Sequence, residues 1–140
     1  MELEFQDYFV RQQAQPVAKG FRYSGGESAR ASGGTMNALK AAELGAIILS
    51  PSNPWLSIAP ILSIGDIKAT ITTNAAPVIA VSPIVNGSAI KGPTAKLMRE
   101  LGLEPSVDNI ARHYRGIVDG LIIDAQDHAR KDAIEAMGIR

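Results

Sequence analysis

Three short apolar runs, at residues 46–49 (AIIL), 78–81 (VIAV) and 121–123 (LII), each end at a polar turn and each give way to helix-forming sequence. None of them alternates apolar with polar residues. Strands of that kind, each followed by a helix, are expected in a parallel sheet covered on both faces, because side chains on both sides of the strand are then buried. The fold class this predicts is α/β, a three-layer sandwich around a mostly parallel, Rossmann-like sheet. Such sheets bind ligands at the carboxyl ends of their strands. Residues 50–53, 82–87 and 124–127 fall on that edge.

The first of these turns is the most constrained. In AIILSPSNPWLSIAPIL, residues 46–62, Pro51 and Pro54 fix φ and hold Ser50 and Asn53 out of the helical region. Ser52, Asn53 and Ser57 add short donors and acceptors close to the main chain. Small polar groups beside free N–H groups at a helix start form an anion site. The plainer alternative is that Ser57 caps a helix from 57 to about 64 and that Asn53-Pro54 merely turns the chain. Trp55 either stacks on an aromatic ligand or covers the edge of the core, the commoner role.

The second turn repeats the pattern of the first, IILSPSN against IAVSPIVN. It carries a lone cation, Lys91, directly before Gly92-Pro93 and a helix expected to run to 101, with Leu97, Met98 and Leu101 as its apolar face. A phosphate there would meet both charge and free N–H groups, although an ordinary surface lysine explains the residue equally well. In the third turn, Asp124 and Asp127 are oxygen ligands for a divalent ion in one reading and helix caps in the more common one. His113, at the end of a helix capped by Ser106, is expected at the surface or against the helix dipole.

Other elements are weaker. Edge strands are expected within 1–23, a glycine- and serine-rich loop at 24–34, and a helix over 36–44 capped by Thr35. A helix at 67–73 is disfavoured by its β-branched residues. The last helix is expected to turn Ala133, Ile134 and Met137 inward. Fourteen basic residues balance fourteen acidic ones and no Lys/Arg run exceeds two, which leaves no footprint for nucleic acid or an anionic membrane. The chain has no cysteine and no apolar stretch near the roughly twenty residues of a membrane span, as expected of a cytoplasmic protein. No nucleophile elbow, zinc motif, P-loop or dinucleotide fingerprint is present, and no catalytic residue is identified by motif.

At SPSNPWLSIAPIL, VSPIVNGSAIKGP and DGLIIDAQDHA, with FQDYFV near the start and ARHY-x-x-x-VDG, the sequence resembles the 2-phospho-L-lactate transferase family. Members carry GPSNP-x-x-SIGPIL, a later VSPI element ending in KGP, and an acidic pair after a buried strand. Ser50 and Ala59 stand where the family has glycines, and Asn86 where it has a small residue. Cβ atoms at 50 and 59 narrow the room for backbone to approach a ligand.

The resemblance implies that residues 1–140 are a single α/β domain fragment, the carboxyl-terminal half of the enzyme, without the glycine-rich nucleotide-binding half. It implies transfer of a 2-phospholactyl or phosphoenolpyruvyl group from a guanosine diphosphate ester to the deazaflavin Fo, with GMP released and magnesium as cofactor. Ser50, Pro51, Ser52, Asn53, Ser57, Ser82, Lys91 and Gly92 are the implied substrate contacts, with Asp124 a weak metal candidate. Small molecules are the implied partners, a homo-oligomer is compatible, and the fragment alone is expected to lack turnover. Related gluconeogenesis-factor proteins, which bind nucleotides without catalysis, are the alternative. They carry a GPGS-like element where this chain has SPSNP, which favours the transferase. A pseudo-domain acting through protein contacts is the third reading.

Overall fold

The computed structural model describes residues 44–140, so the strands expected in 1–23, the loop at 24–34 and all but the last residue of the helix at 36–44 lie outside the described residues. In chain order the elements are β1 (Ile47–Leu49), a π-helical turn (Pro54–Ile58), α1 (Ala59–Leu62), α2 (Ile67–Thr72), β2 (Val78–Val81), β3 (Ile84–Val85), β4 (Ser88–Ala89), α3 (Thr94–Glu100), α4 (Val107–Tyr114), β5 (Gly120–Ile122), a 3-10 helix (Ala125–Arg130) and α5 (Lys131–Glu135). The three apolar runs form one parallel sheet in the order β1-β2-β5, a partial Rossmann-like arrangement. Leu49 pairs with Ala80 and Ala80 with Leu121, so the carboxyl ends of all three strands lie side by side.

Both crossovers step in the same direction across the sheet. Right-handed crossovers that do so place their helices on one face. Ile47, Leu49, Val78, Ala80 and Leu121 accordingly join Ile58, Leu62, Ile67, Ile71, Met98, Ile110, Tyr114 and Ile134 in a single core. On the opposite face Ile48 is 48% and Ile122 54% exposed. The unbroken apolar runs predict cover on both faces, yet among the described residues only one is covered, and Ala46 is exposed as well.

α2 forms despite its β-branched residues because Ile67 and Ile71, one turn apart, are 1% and 4% exposed. Burial outweighs a propensity cost of a few tenths of a kcal/mol per residue. α3 buries Thr94, Ala95 and Met98, whereas Leu101 is 51% exposed. The helix ends at Glu100, so Leu101 lies beyond the last turn and off the apolar face. α4 begins as expected, with Ser106 Oγ accepting the Asn109 N–H at 3.3 Å. In the last helical segment Ile134 is buried but Ala133 is exposed, because a 3-10 start rotates the following residues relative to a continuous α-helix. No described helix is long and apolar enough to cross a membrane.

Candidate functional site

The first turn is built by Asn53. After β1 the Ser52 N–H closes on the Ser50 carbonyl at 2.7 Å, and Asn53, in extended backbone, presents Oδ1 to the N–H groups of Trp55 and Leu56, both at 3.0 Å. Pro54 takes the first helical position, where its missing N–H costs nothing. The helix therefore starts at Pro54 and not at Ser57, which correction follows from the asparagine cap. Ser57 is inside the turn, its N–H on the Asn53 carbonyl at 2.9 Å. The Ala59 N–H reaches back to the Pro54 carbonyl, a π-type spacing that recurs at functional sites.

Asn53 is 9% exposed, and its Nδ2 is buried without a hydrogen-bond partner among the described residues. Such an orphan donor costs about 1–3 kcal/mol. Ser50, Ser52 and Ser57 around it are half-buried, and Pro51 is exposed.

The second turn leaves β2 through Ser82, whose N–H continues the sheet to the Ile122 carbonyl at 2.9 Å. Its buried hydroxyl donates to the Ile84 carbonyl at 2.9 Å and accepts the Ile84 N–H at 3.1 Å, so its proton is committed to shaping the loop. Asn86 and Gly87, at φ of 45° and 75°, make the tip of the β3–β4 hairpin, where left-handed backbone matches the strand twist. Lys91 is exposed and has no carboxylate partner among the described residues. Gly92 follows at φ 74°, a conformation that favours glycine. Pro93, expected at the first helical position, is instead the cap of α3, which begins one residue later at Thr94.

In the third turn Asp124 Oδ1 accepts the Gln126 N–H at 2.9 Å, as a cap. Asp127 Oδ2 accepts the Asn86 N–H at 2.9 Å and so ties the third turn to the tip of the second. Among the described residues no group of three or more His, Asp or Glu is placed to hold a metal ion. Magnesium, implied by the resemblance, is commonly held by one or two carboxylates beside substrate phosphates, and Asp124 and Asp127 are the carboxylates of this turn.

The sheet register brings the three turns to one edge, and the Ile90 N–H on the Pro83 carbonyl at 3.0 Å draws the residue before Lys91 back to the second of them. A cavity of about 430 Å³ lies at the other edge, by Asn74, Arg115 and Asp119. There Asp119 Oδ2 holds the Val78 N–H at 2.8 Å, which is strand-end architecture.

One pairing has no signal in the sequence. The rings of Trp55 and His113 lie 4.8 Å apart at 55°, so Trp55 packs against a residue 58 positions away. His113, expected at the surface or against the helix dipole, lies in the last turn of α4 and is half-buried. Its pKa is lowered from 6.5, first by that burial and then by the Lys68 ammonium.

The chain matches the family described as 2-phospho-L-lactate transferase CofD over residues 1–137. It is 34% identical over 139 residues to a phosphoenolpyruvate transferase of Streptomyces griseus, an alignment covering 99% of this chain and 43% of that protein. With the 2-phospho-L-lactate transferase of Methanopyrus kandleri the identity is 37% over 129 residues, covering 90% and 40%. With that of Methanosarcina barkeri it is 33% over 138 residues, covering 99% and 43%. The chain spans about two-fifths of the length of the curated relatives it matches.

Proposed function

The chain belongs to the 2-phospho-L-lactate transferase family, and from that premise we propose that it forms one wall of a cleft for phosphoryl-group transfer. In that cleft a 2-phospholactyl or phosphoenolpyruvyl group passes from a guanosine diphosphate ester to the deazaflavin Fo. The terminal ribityl hydroxyl attacks the phosphorus bearing the lactyl or enolpyruvyl group. A new P–O bond forms, the bond to the GMP phosphate breaks, and the hydroxyl proton is released. The relatives' names cover both phospholactate and phosphoenolpyruvate, so either donor is compatible.

The observation that supports this reading is Asn53. Its Oδ1 is committed to capping, while Nδ2 is a buried donor without an acceptor. A phosphate or carboxylate oxygen of the donor ester supplies that acceptor. Lys91, a cation without a carboxylate partner among the described residues and beside the left-handed Gly92, answers phosphate charge from the second turn. Transfer of this kind rests on positioning and charge stabilisation more than on a protein nucleophile. Ser50, Ser52 and Ser57 line the first turn as further polar contacts, and Ser82 shapes the second. The reading includes a cytoplasmic setting and no turnover by this stretch alone, the rest of the relatives' length supplying the other wall.

Calorimetric titration with GDP tests it. Asn53→Ala and Lys91→Ala should each weaken binding roughly tenfold, the effect of losing one hydrogen bond to a charged group. Affinity unchanged in both variants removes the site from these turns.

A further inference from the structure

The Trp55–His113 contact joins the first turn to a helix that contributes no residue to the candidate site. Trp55 is the second residue after Asn53, and its backbone N–H is one of the two that Asn53 Oδ1 holds. The orientation of the Asn53 amide is therefore tied to where Trp55 sits. Trp55 is half-buried against the core, with His113 on its ring, and the buried Tyr114 ring lies 5.2 Å from the imidazole at 77°.

We propose that His113 is a positioning residue for the ligand turn: its neutral imidazole seats Trp55, Trp55 holds the Asn53 cap, and protonation of His113 loosens the turn. Only the description of this turn as ligand-binding rests on the function proposed above. The seating itself stands on the ring geometry.

Two effects oppose each other when the imidazole takes a proton. A cation over an indole gains only modestly at an exposed site. Against that, the half-buried ring loses hydration of its charge and meets the Lys68 ammonium from α2. Trp55 and Tyr114, its other ring neighbours, bring no negative charge. Burial and like charge act together, and the neutral form is favoured.

The chain has one tryptophan and two histidines, so Trp55 emission reports this contact without interference. Between pH 8 and 5 we expect one emission transition centred below 6.5, with a red shift and greater acrylamide quenching on the acid side. His113→Phe and His113→Gln should abolish it, and His128→Phe should retain it. GDP affinity should fall over the same range by up to about tenfold, the equivalent of one pKa unit of coupling, and stay level in His113→Gln. A flat emission profile, a midpoint above 6.5, a transition that survives in both His113 variants, or GDP affinity that ignores the transition would overturn the inference. Absence of GDP binding at every pH would instead overturn the proposed function and leave the seating to be judged by the emission alone.

Discussion

The guanidinium of Arg130 and the carboxylate of Asp108 meet edge to edge, with Nε on Oδ2 at 2.8 Å and Nη2 on Oδ1 at 2.9 Å. The pair ties the end of the 3-10 helix to the first turn of α4. Since Asp127, on the same 3-10 helix, holds the Asn86 N–H, the brace runs from α4 to the tip of the β3–β4 hairpin. Two of the three turns on the candidate edge are therefore held as one unit.

Asp108 is only 6% exposed, so Arg130→Met leaves a buried carboxylate without its two side-chain donors. A lowered urea midpoint is expected. Arg130→Lys should recover only part of it, because an ammonium cannot reproduce the planar two-point contact. The loss stays below that of a fully buried pair, since Arg130 is itself exposed. Equal midpoints in all three proteins would mark the pair as incidental.

Capping and ligand contact separate at Asn53. Asn53→Ala removes the cap and should cost about 1 kcal/mol. Asn53→Asp keeps an acceptor for the Trp55 and Leu56 N–H groups, holding stability within about 1 kcal/mol of the native protein. It replaces the orphan amide with oxygen, so GDP affinity should still fall about tenfold or more. Thermal melts beside calorimetry would show a purely structural asparagine if the aspartate binds GDP normally.

The two faces of the molecule differ in what a truncated isoleucine does. Ile110→Ala, at a side chain with 0% exposure, is expected to cost about 2–5 kcal/mol in denaturant unfolding. Ile122→Thr, on the open face of the sheet, should stay within about 0.5 kcal/mol. Comparable losses at both positions would mean that the second face is covered after all.

His113 gives stability a sign in mild acid. Its folded-state pKa lies below the unfolded value of 6.5, so in the interval between them the unfolded chain binds more protons. Stability falls as pH drops through that interval and levels off below it. The difference in urea midpoint between the native protein and His113→Gln should follow this course, and a constant difference from pH 8 to 5 would contradict it.

Tyr114 acts at the other end of the scale. Burial raises its phenol well above the ordinary 10.0. Above that pH the unfolded chain ionises first, so stability declines as pH rises. Tyr114→Phe should flatten the alkaline limb of a pH–stability profile, and an unchanged limb would place the titrating group elsewhere.

The strand–turn–helix order was readable because it rests on local chemistry. Apolar runs, prolines and a serine cap at 106 locate β1, β2, β5 and α4 to within a residue or so. Asn53 was legible as a turn residue, but its capping of Pro54 was not, since Ser57 offers a cap of equal standing to a reader of the sequence alone. The face of α3 was misplaced for a similar reason: Leu101 is apolar, yet the chain leaves the helix before reaching it. Asp124 and Asp127 are legible in the sequence as carboxylates at a strand end, and their backbone partners became visible only in the folded chain.

By itself the sequence determined the α/β class, the three polar turns at strand ends and the family to which those turns belong, all of which follow from residue type and short-range spacing. Only the tertiary structure decided that both crossovers advance one way and, among the described residues, leave a sheet face open and one Asn53 amide donor unanswered, and that the rings of His113 and Trp55 meet. Each of these depends on which residues meet across tens of positions, and that is set by how the helices pack on the sheet.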